Sequence, residues 1–94
     1  MNFTLKQLRY VEAAGRLGSI AKAAVEISIS QSSITAAIDA LEASLDYGLF
    51  VRTPAKGVQP TSAGREALQL IRNFLNQAQQ FQAELQSQGG DDAG

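Results

Sequence analysis

Between Ile34 and Leu45 the apolar residues recur at steps of 4, 3 and 4 (Ile34, Ile38, Leu41, Leu45), one stripe along a helix that Ser30 opens. The opposite face carries Gln31, Ser32, Ser33, Thr35, Ala36 and Asp39, short and mostly polar. Upstream, Ser19 is placed to cap a small-residue helix containing Ala23 and Ala24 that runs to about Glu26. Ile27-Ser28-Ile29 then forms the turn between the two. A first helix spans Thr4, its N-cap, to about Arg16, with Leu5, Leu8 and Val11 inward and Gly15 and Gly18 breaking it. Helix, turn and helix over residues 19–45 leave one face free to enter a groove.

After Leu45 the pattern changes period. Leu49 to Thr53 is short, apolar and β-tolerant, Val58 to Pro60 can pair with it, and Pro54-Ala55-Lys56-Gly57 has turn chemistry. A two-stranded wing over about 49–60 is expected. From Thr61 or Ser62 a last helix runs to about Gln86. Ile71, Phe74, Ala78, Phe81 and Leu85 follow steps of 3, 4, 3 and 4, a heptad seam that Leu68 and Leu75 widen at one end. A stripe this long exceeds what a small three-helix core can cover, so a second chain is the expected partner for all seven residues. The glycine-rich, acidic segment from residue 88 is expected to be disordered.

The expected architecture is therefore mainly α: a winged helix-turn-helix of three helices and a two-stranded wing (residues 1–61), a linker and dimerisation helix (62–87) and a tail (88–94). Ninety-four residues suffice for one small domain. Cysteine and histidine are both absent, which removes disulfides, the usual zinc ligands and the commonest general base. No metal or cofactor is expected. An enzyme would need converging carboxylates, and Glu12, Glu26, Glu42 and Glu66 are expected on separate, solvated helices, so no catalysis is expected either. No apolar run approaches a membrane span and no leader precedes the first helix, which points to the cytoplasm.

Net charge is -1, against the basic surface that nucleic-acid binders normally present. Setting aside Asp91 and Asp92 leaves eight bases against seven acids, and four of those bases (Arg52, Lys56, Arg65, Arg72) follow the helix-turn-helix. Single copies should bind nucleic acid weakly; a dimer doubles every phosphate contact.

The segments resemble, in order, the N-terminal domain of LysR-type transcriptional regulators. Leu5-Lys6-Gln7-Leu8-Arg9-Tyr10 looks like the opening helix, and Gly18-Ser19-Ile20 with Ala23-Ala24 like the start of the helix-turn-helix. Ile29-Ser30-Gln31-Ser32-Ser33-Ile34-Thr35 sits where the recognition helix begins. Leu41-Glu42, Leu45, Leu49-Phe50 and Arg52 match its end and the first wing strand, and Pro60-Thr61-Ser62-Ala63-Gly64 the opening of the linker helix. The resemblance covers about residues 3 to 85.

It implies sequence-specific binding of double-stranded promoter or operator DNA by a homodimer joined through antiparallel linker helices, with a tetramer open to a full-length protein. Helix 3 would lie in the major groove and the wing near the adjacent minor groove. The family's effector-binding half is missing here, so a small-molecule effector is expected only through a domain outside this chain, and excision from a longer protein is expected. The chain departs from the family at Ser32, where proline is usual, and at Ala36, Ala37, Asp39 and Ala40, where a base is common. At Asp46 it departs again, where glycine is expected.

Gln31, Ser32, Ser33, Thr35, Ala36 and Asp39 are thus the candidate base contacts, Asp39 facing a cytosine amine or pointing away. Ser30, Arg52, Lys56 and Arg65 are the phosphate candidates, Ser30 also as a cap, with Lys6, Arg9 and Lys22 flanking the backbone. Ser28 is expected to be a turn residue. The competing reading is a helix-turn-helix-derived dimerisation or interaction module that does not bind DNA.

Overall fold

Thr4 closes the first helix with a reciprocal cap: its hydroxyl accepts from the Gln7 N–H at 3.1 Å and the Gln7 side chain accepts from the Thr4 N–H at 2.8 Å. From that cap the computed structural model, which describes residues 3–54 and 57–93, runs through four helices and two strands. They are α1 (Leu5–Leu17), α2 (Ile20–Ile27), α3 (Gln31–Leu45), β1 (Phe50–Thr53), β2 (Gly57–Pro60) and α4 (Ser62–Ala93). Ser19 and Ser30 cap α2 and α3 by accepting from the N–H groups of Lys22 and Ser33. Gly18, Ser28 and Asp46 end α1, α2 and α3 in the left-handed conformation. Ser28 is thus the turn residue expected, and Asp46 does the work of the glycine it replaces.

The three short helices pack round Val11, Ala14, Ala23, Ile34, Ile38 and Leu41, all buried. The wing is an antiparallel pair with Phe50 opposite Pro60 and Thr53 opposite Gly57. It adds Leu49, Phe50 and Val58 to the core, and α4 adds Ala67, Leu68 and Ile71. The turn residues Ala55 and Lys56 lie outside the described residues.

Four expectations change. Leu5 is largely exposed: two successive steps of three from Leu5 to Val11 swing the stripe by roughly 120° at 3.6 residues per turn, which carries Leu5 to the rim. Gly15 does not break α1 but lies inside it, its missing Cβ making room for Leu68 of α4. The seam on α4 divides. Leu68 and Ile71 are buried within the domain's own core and Leu75 packs against it, whereas Phe74, Phe81 and Leu85 stand exposed. The N-terminal part of α4 lies across α1 and β2, so the inner end of the stripe is covered from within the chain. Finally, α4 continues to Ala93 rather than ending near Gln86. Helical glycines such as the adjacent Gly89 and Gly90 cost about 1 kcal/mol each, which weakens a helix without stopping it as proline would.

Candidate nucleic-acid interface

The exposed face of α3 is built on its first turn. Ser30 Oγ accepts from Ser33 N–H at 3.2 Å and shares hydrogen bonds with the hydroxyls of Ser32 (3.0 Å) and Ser33 (2.9 Å). Three hydroxyls therefore cluster at the positive end of the helix dipole, a polar knob that suits phosphate oxygen. With Ser30 supplying the cap, the first turn holds its shape without proline at Ser32. Gln31, Ser32, Ser33, Ala36 and Asp39 are exposed and Thr35 is half-buried. Gln31, Thr35 and Asp39 are spaced by four and form one row along the helix.

Asp39 is ion-paired. Its Oδ1 accepts from Arg52 Nη2 at 2.8 Å, and Glu42 Oε1 lies 3.6 Å from the same nitrogen. Arg52, a phosphate candidate, lies against α3 in the DNA-free chain. The two acids lie where β1 leaves the end of α3, so an arginine in the middle of β1 reaches back to them before any ligand arrives.

Glu42 is the residue that motif reading undervalued. It is mostly shielded, and its Oε2 accepts from the N–H groups of Leu49 (2.6 Å) and Phe50 (3.3 Å). That carboxylate pins the entry of the wing to α3. On the far side, Val58 N–H donates to Gly18 O at 3.3 Å, and a Cβ on Gly57, whose φ is 71°, would collide with the same carbonyl. Thr61 closes the wing: its hydroxyl donates to Gly48 O at 2.8 Å and accepts from Gly64 N–H at 2.9 Å. The wing is thus clamped to α1, α3 and α4. A carboxylate serving backbone N–H groups several residues away has no periodic signature, which is why the sequence did not reveal it.

Glu12 and Glu26 are not isolated either. Glu12 accepts from Arg16 (3.2 Å) on its own helix and from Arg72 (3.4 Å) on α4, and Arg16 reaches on to Glu26. The Arg16 hydrogen bond holds the Glu26 carboxyl below its ordinary range, and Glu26 in turn raises Arg16. Arg16, Arg52 and Arg72 are consequently committed to carboxylates. Lys6, Arg9, Lys22 and Arg65 are exposed and carry no ion pair among the described residues; Lys56 is outside them.

With that geometry established, the comparisons are specific. The family described as "Bacterial regulatory helix-turn-helix protein, lysR family" matches residues 5–65. The transcriptional regulator CbbR of Xanthobacter flavus is 37% identical over 89 residues, covering 92% of this chain and 26% of CbbR. The chain spans about a quarter of the length of CbbR and of TfdS, and 40% of TfdT. Among solved structures, the CbnR DNA-binding domain in complex with DNA superposes with a TM-score of 0.85 at 31% identity, covering 93% of this chain and 99% of that one. The BenM DNA-binding domain with catB site 1 DNA gives 0.86 at 26% identity, covering 95% of each.

Proposed function

This chain belongs to the bacterial LysR family of regulatory helix-turn-helix proteins, and on that premise we propose that it is the domain through which a transcriptional regulator binds specific operator DNA. The observation that carries the reading is the solvent-facing row of Gln31, half-buried Thr35 and Asp39 behind a hydroxyl-lined helix start, on a fold that in CbnR and BenM was solved on DNA. Insertion of α3 in the major groove puts Gln31 within reach of an adenine edge and Thr35 near a thymine methyl. The wing flanks the adjacent minor groove. Ser30, Lys22 and Arg65 serve the phosphates. Regulators of this kind act where the chromosome lies, so the cytoplasm is the proposed location; no helix among the described residues is long and apolar enough to cross a membrane.

The working unit is a homodimer joined through α4. Phe74, Phe81 and Leu85 extend an apolar line beyond the domain's own core. Beside it a groove of about 320 Å³ opens between α1, α3 and α4, lined by Phe3, Leu41, Leu45, Tyr47, Ile71 and Phe74. If two copies of α4 run antiparallel with Phe74 against Ala78, the reciprocal layer is Ala78 against Phe74, large against small in both. An effector, where one exists, is assigned to a second domain and not to this one.

The competing interaction-module reading has in its favour only the net charge of -1 and a recognition helix without a base. Selection of duplexes from a random pool, followed by titration across salt, tests the DNA reading directly. Enrichment of a two-fold symmetric site with a salt-dependent affinity is expected, and no enrichment would overturn it.

A further inference from the structure

Asp39 is the sole ionisable residue on the first nine positions of α3, and it stands in the row that faces the groove. An unpaired carboxylate there would be repelled by phosphate. In this chain it is paired with Arg52, a residue that would otherwise be free to hold phosphate without regard to sequence. Glu42 makes the pairing a pivot. Its Oε2 is anchored by the Leu49 and Phe50 N–H groups while Oε1 stays 3.6 Å from Arg52 Nη2. The guanidinium, with five donors, can therefore leave Asp39 for a phosphate and keep Glu42 as its near neighbour. An exposed ion pair is a weak latch, so the exchange is open to competition.

We propose that Asp39 is a specificity-determining residue that withholds Arg52 from phosphate until a base amine, cytosine N4 or adenine N6, replaces Arg52 on its carboxylate. The proposal rests on the DNA-binding reading above. On a sequence that presents the amine, Asp39 accepts from the base and Arg52 turns to the backbone, so one correct base brings two contacts. On other sequences, separating the pair leaves a carboxylate facing the groove without a donor, and the pair stays closed. Affinity for random DNA is thereby kept low by an acid on the recognition helix, in keeping with three of the seven bases among the described residues being tied to carboxylates.

The test is a cycle of Asp39→Ala, Arg52→Ala and the double variant, in the dimer, on the selected operator and on random duplex across salt. Asp39→Ala should steepen the logarithmic salt slope on random DNA by roughly 0.9 per chain and lower operator discrimination by roughly tenfold or more. In the Arg52→Ala background the same change should leave the slope on random DNA unaltered. Arg52→Ala alone should make the slope shallower on the operator and leave it unchanged on random DNA. Equal gains from Asp39→Ala in both backgrounds would mean simple loss of a repelling charge, and would overturn the proposal, as would no gain at all. Arg52→Ala acting equally on operator and random DNA would overturn it too. Failure of the unaltered dimer to bind any duplex at low salt would overturn the DNA reading itself. Both residues are exposed, and thermal melting checks that the variants fold.

Discussion

Gly15 of α1 lies under Leu68 of α4 so closely that a Cβ added to the glycine would stand 2.7 Å from Leu68 Cδ1. A glycine inside a helix ordinarily costs about 0.5–1 kcal/mol relative to alanine. Here that cost is offset by a close crossing that seats the linker helix on the domain, with Leu68 buried beneath it.

Gly15→Ala should therefore fail to stabilise the protein. The helix gains propensity, but overpacking against a buried leucine costs about 1–3 kcal/mol, for an expected net loss of about 1 kcal/mol. Urea denaturation measures it, and Leu68→Val in the same chain should restore part of the loss. A stabilised Gly15→Ala would show that α4 is free to move off α1.

The division of the α4 stripe separates two phenotypes that an unbroken seam would merge. Phe74→Asp with Phe81→Asp should yield a folded monomer, since both residues are exposed in the single chain. Leu68→Asp should unfold the domain, because it leaves a charge in the core. Sedimentation and circular dichroism report the two outcomes. An unchanged dimer mass for the Phe74/Phe81 variant would remove α4 from the interface.

On α3, Gln31→Ala and Thr35→Ala should each lower operator affinity by about 1–3 kcal/mol per lost base contact while non-specific affinity holds. The helix itself should be unaffected, since its stripe of Ile34, Ile38 and Leu41 faces the other way. Equal losses on operator and random DNA would assign these side chains to phosphate instead.

Glu42→Gln tests the anchor of the wing. The amide retains one acceptor, but loses the charge that draws in Arg52 and strengthens two backbone hydrogen bonds. Stability should fall by about 1–3 kcal/mol, the cost of leaving shielded donors poorly served. Hydrogen exchange at Leu49 and Phe50 should quicken locally. Unaltered exchange there would show that Thr61 and Gly18 suffice to hold the wing.

The Arg16–Glu26 pair has a defined pH signature. Glu26 titrates below its ordinary value of 4.5 because Arg16 donates to the ionised form. Its contribution to stability is therefore present above 4.5 and is lost as pH falls through the lower, folded-state value. Denaturation of the wild type and Glu26→Gln should differ slightly at neutral pH and converge in acid. A difference that grows in acid would contradict the assignment. The effect is small because the pair is exposed.

The order of the elements, their caps and the division of α3 into a buried stripe and a solvent-facing polar side could be read from the chain because each is a local matter. A serine that caps a helix, a step of four and three between apolar residues, and a left-handed residue that ends a helix act within one or two turns of backbone. Ser30, Ile34 and Ser28 behave as such local rules require. Tertiary structure alone decided where the charges go and where the α4 stripe divides. Arg72 meets Glu12 across 60 residues, and Arg52 meets Asp39 across 13, separations at which no periodicity links the partners. Whether Ile71 is core or interface depends on how far α1 and β2 extend beneath α4, which no pattern on α4 encodes. Long-range pairing is set by how the elements come together, and only the assembled fold brings those side chains within reach.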